Sequence, residues 1–133
     1  FFRDRLFFAT TQMGWIGGEN GRCFFTDDGG DTWQPRPLPT DQSVFALWFD
    51  ALGRGFASVL NLDFLHARDA VYETADTGRT WVPVLGGSKH VDAFFGFDAS
   101  RLWAVGDVPG FVPNDLVLIR RGGTAHTRAA PTP

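Results

Sequence analysis

An eight-residue pattern occurs twice in this chain and limits the folds that are open to it. The pattern is Thr-x-Asp-x-Gly-x-Thr-Trp, and its copies at 26–33 and 74–81 begin 48 residues apart. Five matching positions at identical spacing indicate an internal repeat, which determines fold class before any single element is considered. The matching residues are Thr26, Asp28, Gly30, Thr32 and Trp33 in the first copy and Thr74, Asp76, Gly78, Thr80 and Trp81 in the second.

A second pattern lies upstream of each copy. Residues 6–18 and 47–58 read LFFATTQMGWIGG and LWFDALGRGFAS, and a third version, FFGFDASRLWAVG, occupies 94–106. Phe8 and Phe49 are 41 residues apart, as are Trp15 and Phe56, and in the third version Phe97 and Trp103 are expected to take these two positions. The units predicted in this way span 4–38, 43–84 and 91–125, and residues 126–133 are expected to form a tail or a truncation point.

The apolar runs within a unit have the length of β-strands, and turn residues separate them. The first unit predicts strands near 5–10, 14–18, 22–26 and 32–36. Asn20-Gly21 favours a tight hairpin turn, because both central positions of such a turn need a positive φ. Four short antiparallel strands repeated every 40–50 residues predict the blades of an all-β propeller.

Three functions compete for the repeated Asp-Gly stretch. A calcium loop needs several carboxylates, and the second copy offers only Asp76, with Thr77 and Arg79 beside it. A phosphate loop needs a following helix and a Lys-Ser/Thr pair, which this sequence lacks. We therefore interpret the stretch as a structural turn, in which Gly30 and Gly78 allow a backbone conformation that strains other residues.

The composition disfavours several classes of partner. The net charge is −3 without a basic block, which disfavours nucleic acid. No apolar run approaches the roughly 20 residues that a membrane-spanning helix needs. Cys23 is the single cysteine, so no internal disulfide can form, and its place on a predicted strand indicates a small core residue. The three histidines, His66, His90 and His126, lack the spacing of zinc ligands.

The repeated pattern resembles the Asp-box, or bacterial neuraminidase repeat, in which the Asp caps the turn between the third and fourth strands of a propeller blade. The stretch GWIGGENGRCFFTDDGGDTW (14–33) further resembles the photosystem II assembly and stability factor-like propellers. This resemblance implies a non-catalytic scaffold without cofactor or metal, located in the periplasm or thylakoid lumen. It also implies a protein partner among the subunits of a membrane photosynthetic complex.

Three blades are too few to close a propeller, since four to eight are observed. We expect further blades to come from a longer chain, for example one of seven blades, or from other copies or a partner. Open blades would otherwise expose strand edges and apolar faces.

Two insertions predict where a partner binds. Residues 60–70 and 107–115 replace the tight turn between the second and third strands of a unit, and that turn lies on the propeller face opposite the Asp-box turns. Aromatic residues with Arg are typical of binding hot spots. The alternative is that both loops only pack over neighbouring blades. The candidate partner-binding residues are Phe64, His66, Arg68, Asp69, Phe111, Asn114 and Asp115.

A carbohydrate-active protein is the alternative function, because sialidases share the Asp-box. Their nucleophile is a Tyr–Glu pair, and Tyr72 precedes Glu73 here. Both residues are predicted on a strand far from the central funnel, on opposite faces of their blade. We therefore expect no sialidase activity, although a secreted carbohydrate-binding protein stays open.

Overall fold

The computed structural model describes residues 5–60, 71–85, 91–98, 101–106, 115–118 and 126–129. These residues form antiparallel β-sheets whose strands follow one another in sequence order, and they contain no α-helix. The predicted all-β architecture of blade-like units is therefore confirmed.

Blade 1 is a four-stranded sheet in the order β1-β2-β3-β4. A tight turn over Glu19–Gly21 joins its second and third strands. Phe24 and Phe25 of the third strand pair with Pro35 and Gln34 of the very short fourth strand. The strands are β1 Arg5–Phe8, β2 Gly14–Gly17, β3 Cys23–Thr26 and β4 Gln34–Pro35.

The predicted Asn20-Gly21 turn has the backbone that its sequence requires. Asn20 has a φ of 59° and Gly21 a φ of 70°. The Gly21 amide donates to the Gln42 carbonyl at 2.7 Å, and the Gly21 carbonyl accepts from the Leu38 amide at 2.9 Å. A Cβ at this position would collide with the carbonyl of Thr40. Glycine thus lets the turn dock on the connection between blade 1 and blade 2.

Blade 2 repeats this arrangement in the order β5-β6-β7-β8. Its first two strands are longer than those of blade 1, and irregularities interrupt the pairing at Val44/Ala46 and at Val71/Tyr72. The strands are β5 Ser43–Phe49, β6 Gly55–Leu60, β7 Val71–Thr74 and β8 Val82–Leu85.

The third unit differs from the other two because its described residues form two separate two-stranded sheets. The strand His126–Ala129 pairs with Asp115–Leu118, so the prediction of a tail at 126–133 was wrong for these four residues. Its sequence, HTRA, has no apolar alternation by which it could be recognised as a strand. The strands are β9 Ala93–Asp98, β10 Arg101–Val105, β11 Asp115–Leu118 and β12 His126–Ala129.

Each unit carries one aromatic pair in direct register across its first two strands. The sequence predicted that Phe97 takes the position of Phe8 and Phe49, and that Trp103 takes that of Trp15 and Phe56. The prediction was wrong for Phe97. Trp103 lies opposite Phe95, and Phe97, two residues further along β9, contacts the rings of both. A one-residue difference in spacing moves a strand residue to the other face. The three pairs are Phe7 with Trp15, Trp48 with Phe56, and Phe95 with Trp103.

We call the face of a blade that carries this pair its forward face, because in blades 1 and 2 it packs on the following blade. The opposite face is the rear face. Between blades 1 and 2, the forward Trp15 is fully buried and stacks on the rear Phe49, with ring centroids 3.7 Å apart and planes 2° apart. Trp15 Nε1 also donates to the carbonyl of Thr77 at 3.0 Å. One side chain therefore links the two blades by stacking and by a hydrogen bond.

The second interface follows the same scheme. The forward Trp48 and Phe56 of blade 2 are buried with Leu102 and Ala104 of blade 3. The buried Ser58 hydroxyl donates to the carbonyl of Val91 at 2.9 Å. The core of this chain thus lies between its blades, as expected when sheets stack face to face.

Candidate functional site

The turns between strands lie on two opposite faces of the molecule. The first Asp turn (26–33) bonds to the loop after β1, where the Gly29 amide donates to the Gln12 carbonyl at 3.0 Å. The second Asp turn (74–81) bonds to the loop after β5, where the Thr77 amide donates to the Gly53 carbonyl at 2.9 Å. We call this side the Asp-turn face. The opposite side carries the Glu19–Gly21 turn and the connection between blades 1 and 2, and we call it the connection face.

A groove of about 420 Å³ lies where the first strands of the three units meet. Residues from β1, β5 and β9, with Asp92 just before β9, line it. The β1 and β9 residues lie at the starts of their strands, and the β5 residues lie in the middle of theirs. We call it the inner groove, and its principal side chains are Arg5, Leu6, Phe45, Asp92 and Phe94.

The inner groove combines a cation, an acid and apolar surface. The guanidinium of Arg5 lies over the ring of Phe45, 4.9 Å from its centroid. Arg5 Nε is buried and has no hydrogen-bond partner among the described residues. A buried donor without a partner costs about 1–3 kcal/mol. Asp92 and the apolar Leu6 and Phe94 complete a surface of mixed chemistry.

In both Asp turns the carboxylate is occupied within the turn. Asp28 Oδ1 accepts from the Thr32 amide at 2.9 Å and from the Thr26 hydroxyl at 2.8 Å. Its Oδ2 accepts from the Thr32 hydroxyl at 2.5 Å. The hydrogen bonds from Thr32, and then that from Thr26, lower the pKa of Asp28 to about 2. The carboxylate therefore stays charged and serves the turn.

The second Asp turn has the same bonds. Asp76 accepts from the Thr80 amide at 2.9 Å, from the Thr80 hydroxyl at 2.7 Å and from the Thr74 hydroxyl at 2.8 Å. The Thr80 hydroxyl is the largest cause of a lowered pKa of Asp76, while burial opposes it. Within the described part of the chain, no group of three or more His, Cys, Asp or Glu side chains could hold a metal ion.

Most of the predicted partner-binding residues lie outside the described residues. These are Phe64, His66, Arg68, Asp69, Phe111 and Asn114. Asp115 is the first residue of β11, and its backbone lies opposite Ala129 of β12.

Tyr72 and Glu73 lie on β7, the third strand of blade 2, as predicted. Tyr72 lies opposite Ala57 and Glu73 opposite Phe56, which places the two side chains on opposite faces of the blade. Neither residue lines the inner groove. The geometry does not bring them together as a nucleophile and its base.

Cys23 is a core residue, as its sequence position predicted. It lies on β3 between blades 1 and 2 and is almost fully buried. Burial raises the pKa of its thiol to about 12, although the positive charge of Arg36 opposes the shift. Only the thiolate is nucleophilic, so this thiol is unreactive near neutral pH. In the described ranges there is also no helix long and apolar enough to span a membrane.

Sequence reasoning missed the inner groove, because its residues come from three units that are far apart in sequence. Arg5, Phe45 and Asp92 each lie at or near the start of a unit's first strand. These three residues share no residue type and do not lie at equivalent positions of the repeat, so they offered no repeated signal for the groove in the sequence.

No family model matches this chain, and no curated protein matches it. A solved structure described as YCF48 bound to D1 peptide is similar over 92% of the chain, with a TM-score of 0.67 and 18% sequence identity. The chain has a β-propeller fold. The resemblance to the photosystem II assembly and stability factor-like propellers is thus confirmed at the level of the fold. The chain spans 39% of the length of that YCF48 chain.

Proposed function

We propose that this chain is a non-catalytic protein-interaction scaffold that binds an extended segment of a partner protein in the inner groove. The observation that carries the proposal is the groove itself, in which Arg5 and Asp92 flank apolar side chains. The structural similarity to a propeller bound to a peptide supports it.

The chemistry of the groove suits a peptide better than a small hydrophilic ligand. A peptide supplies carbonyl or carboxylate oxygens for the guanidinium of Arg5, and Phe45 holds that guanidinium in place through a cation–π contact. It also supplies apolar side chains that Leu6 and Phe94 can cover. Apolar surface with a few well-placed polar groups is the usual composition of a binding site.

The insertions at 60–70 and 107–115 extend this surface in our proposal. In the sequence, these insertions replace the tight Glu19–Gly21 turn of blade 1. That turn lies on the connection face, where it is hydrogen-bonded to the backbone of Leu38 and Gln42. Phe64, Arg68 and Phe111 would then contact the part of the partner that extends beyond the groove. Their replacement by alanine is expected to weaken partner capture without lowering thermal stability.

The sequence resemblance supports a subunit of a membrane photosynthetic complex as the partner and an extracytoplasmic location, in the periplasm or thylakoid lumen. A labelled D1 peptide is therefore a suitable first probe. Its titration with the chain, followed by fluorescence anisotropy, measures Kd directly.

Arg5→Ala is expected to weaken binding of this peptide by about 10-fold or more, since a hydrogen bond to a charged group contributes about 1.5–3 kcal/mol. Arg54→Ala is the matched control, because Arg54 pairs with Asp50 at 3.0 Å in the loop after β5, on the Asp-turn face. Equal Kd values for the two variants would contradict the groove as the site. Turnover of a fluorogenic sialoside would contradict the non-catalytic assignment.

A further inference from the structure

The first strand of blade 2, β5, has one edge that no strand of its sheet covers. It pairs with β6 on one side only. In an antiparallel pair, residues whose main chain bonds to the partner strand alternate with residues whose main chain points away from it. The Asp50 amide donates to the Arg54 carbonyl at 2.8 Å, and this pair continues the register of β5 with β6. Trp48 therefore bonds to β6, whereas Leu47 and Phe49 direct their N–H and C=O groups to the uncovered edge.

The main-chain groups at this edge are open at Leu47 and Phe49, which have no hydrogen bond across it among the described residues. Nearer the start of β5 the edge is already used, because the Val44 amide donates to the Gly18 carbonyl of blade 1 at 3.0 Å. The pairing irregularity at Val44/Ala46 separates that point from Leu47. Because Leu47 also lines the inner groove, the open part of the edge begins in the groove.

Additional blades would not close this edge. Blades stack through their faces, and the two faces of blade 2 are already packed on blades 1 and 3. The strands beside β5 at the groove are the first strands of those two blades, β1 and β9. Blades added before blade 1 or after blade 3 would therefore leave the edge of β5 as it is. A free strand edge is a template for pairing with another extended chain.

We propose, on the basis of the proposed function, that the partner segment binds in the inner groove as an added β-strand on the free edge of β5. The N–H and C=O groups of Leu47 and Phe49 then bond to the main chain of the segment. Such strand addition gives affinity through the main chain and specificity through alternate side chains.

The two walls of the groove define the side chains that suit this strand. Alternate residues of an added strand project to opposite faces of blade 2. On one side they meet Arg5 of blade 1, whose guanidinium lies over the ring of Phe45. On the other side they meet Phe94 of blade 3, whose ring centroid lies 6.2 Å from that of Phe56. The partner is therefore an extended segment in which an acidic or polar residue facing Arg5 alternates with an apolar residue facing Phe94.

Amide hydrogen exchange, followed by NMR with and without a saturating amount of the D1 peptide, tests the added strand. The amides of Leu47 and Phe49 are expected to exchange about tenfold or more slowly in the complex, because a hydrogen-bonded amide exchanges only when its bond opens. The Trp48 amide is the internal control, since it bonds to β6 in both states. Phe8 is the matched control, because its main chain points to the free edge of β1 and it does not line the groove. Its exchange is expected to stay unchanged.

N-methylation of the D1 peptide at one residue at a time is the second test, since the methyl group replaces the N–H that an added strand donates. Fluorescence anisotropy is expected to show a Kd raised about tenfold or more at alternate positions of the bound stretch. The positions between them are expected to change little, because only every second N–H of a strand points to its neighbour.

The results separate the added strand from the proposed function. Unchanged exchange at Leu47 with a peptide that binds, or a Kd that N-methylation changes without alternation, would overturn the added strand and leave the scaffold function standing. Protection of Phe8 in place of Leu47 would do the same, and so would slow exchange of Leu47 in the free chain, since the edge would then already be closed. A peptide that does not bind the chain at all would contradict both proposals.

Discussion

The two Asp turns have the same internal geometry but different surroundings. In each turn the amide of the glycine, Gly30 or Gly78, donates to the hydroxyl of the first Thr at 2.9 Å. The tryptophans differ. Trp33 Nε1 donates to the carbonyl of Gly30 in its own turn at 3.0 Å, whereas Trp81 Nε1 donates to the carbonyl of Arg36 in the preceding blade at 3.2 Å.

This difference separates what the motif does locally from what it does between blades. The side-chain hydrogen bonds of the Thr and Asp residues lie within the turn itself in both copies. The Trp contributes a contact between blades only where a blade lies behind it, as blade 1 lies behind Trp81. The same eight residues therefore close a turn in blade 1, and in blade 2 they also join two blades.

The largest difference is expected between Trp81→Ala and Trp33→Ala. Trp81 is buried in the core between blades 1 and 2 and contacts Phe49 edge to face. Its loss is expected to cost about 3–5 kcal/mol, as for other buried aromatic residues. Trp33 is only half-buried, and its loss is expected to cost about 1 kcal/mol, near the average for a point substitution. Urea unfolding of both variants measures these values, and equal losses would show that the blade contact contributes nothing.

A smaller difference is expected between Gly78→Ala and Gly30→Ala. Both glycines have a positive φ, 91° and 99°, so alanine is strained in either turn by about 1–2 kcal/mol. At Gly78 the new Cβ would also lie 3.1 Å from the Trp81 ring and 3.2 Å from Arg36 Cβ, whereas at Gly30 the nearest atom is 3.6 Å away. Overpacking adds about 1–3 kcal/mol at Gly78. Thermal unfolding is expected to rank Gly78→Ala below Gly30→Ala, and the reverse order would contradict this account.

Features that depend on neighbouring residues could be predicted from the sequence, whereas features that depend on contacts between distant units could not. The turn at Asn20-Gly21 and the strands of blade 1 were predictable, because positive φ and strand-length apolar runs are local signals. The face of Phe97 was predicted wrongly, because Phe97 lies six residues before Trp103, whereas Phe8 lies seven residues before Trp15. The inner groove was not predictable either, because Arg5, Phe45 and Asp92 meet only after three units have stacked.

The smallest expected effect is that of protonating the carboxylates of the two turns, Asp28 and Asp76. Hydrogen bonds lower the pKa of Asp28 to about 2, below the ordinary value of about 3.9. The stabilisation by this carboxylate is therefore present above about pH 4 and is lost as the pH falls toward 2. The Thr80 hydroxyl likewise lowers the pKa of Asp76, and burial opposes the lowering at both carboxyl groups.

Thr32→Val removes the hydroxyl that is the largest cause of the shift at Asp28, and Thr80→Val does the same at Asp76. Carbon-13 NMR titration of the carboxyl groups is expected to show a raised pKa only for the Asp in the altered turn. Each variant is thus the control for the other. A raised pKa at both sites in either variant would mean that the turns are coupled through the blade interface, and the local description of the motif would then be wrong.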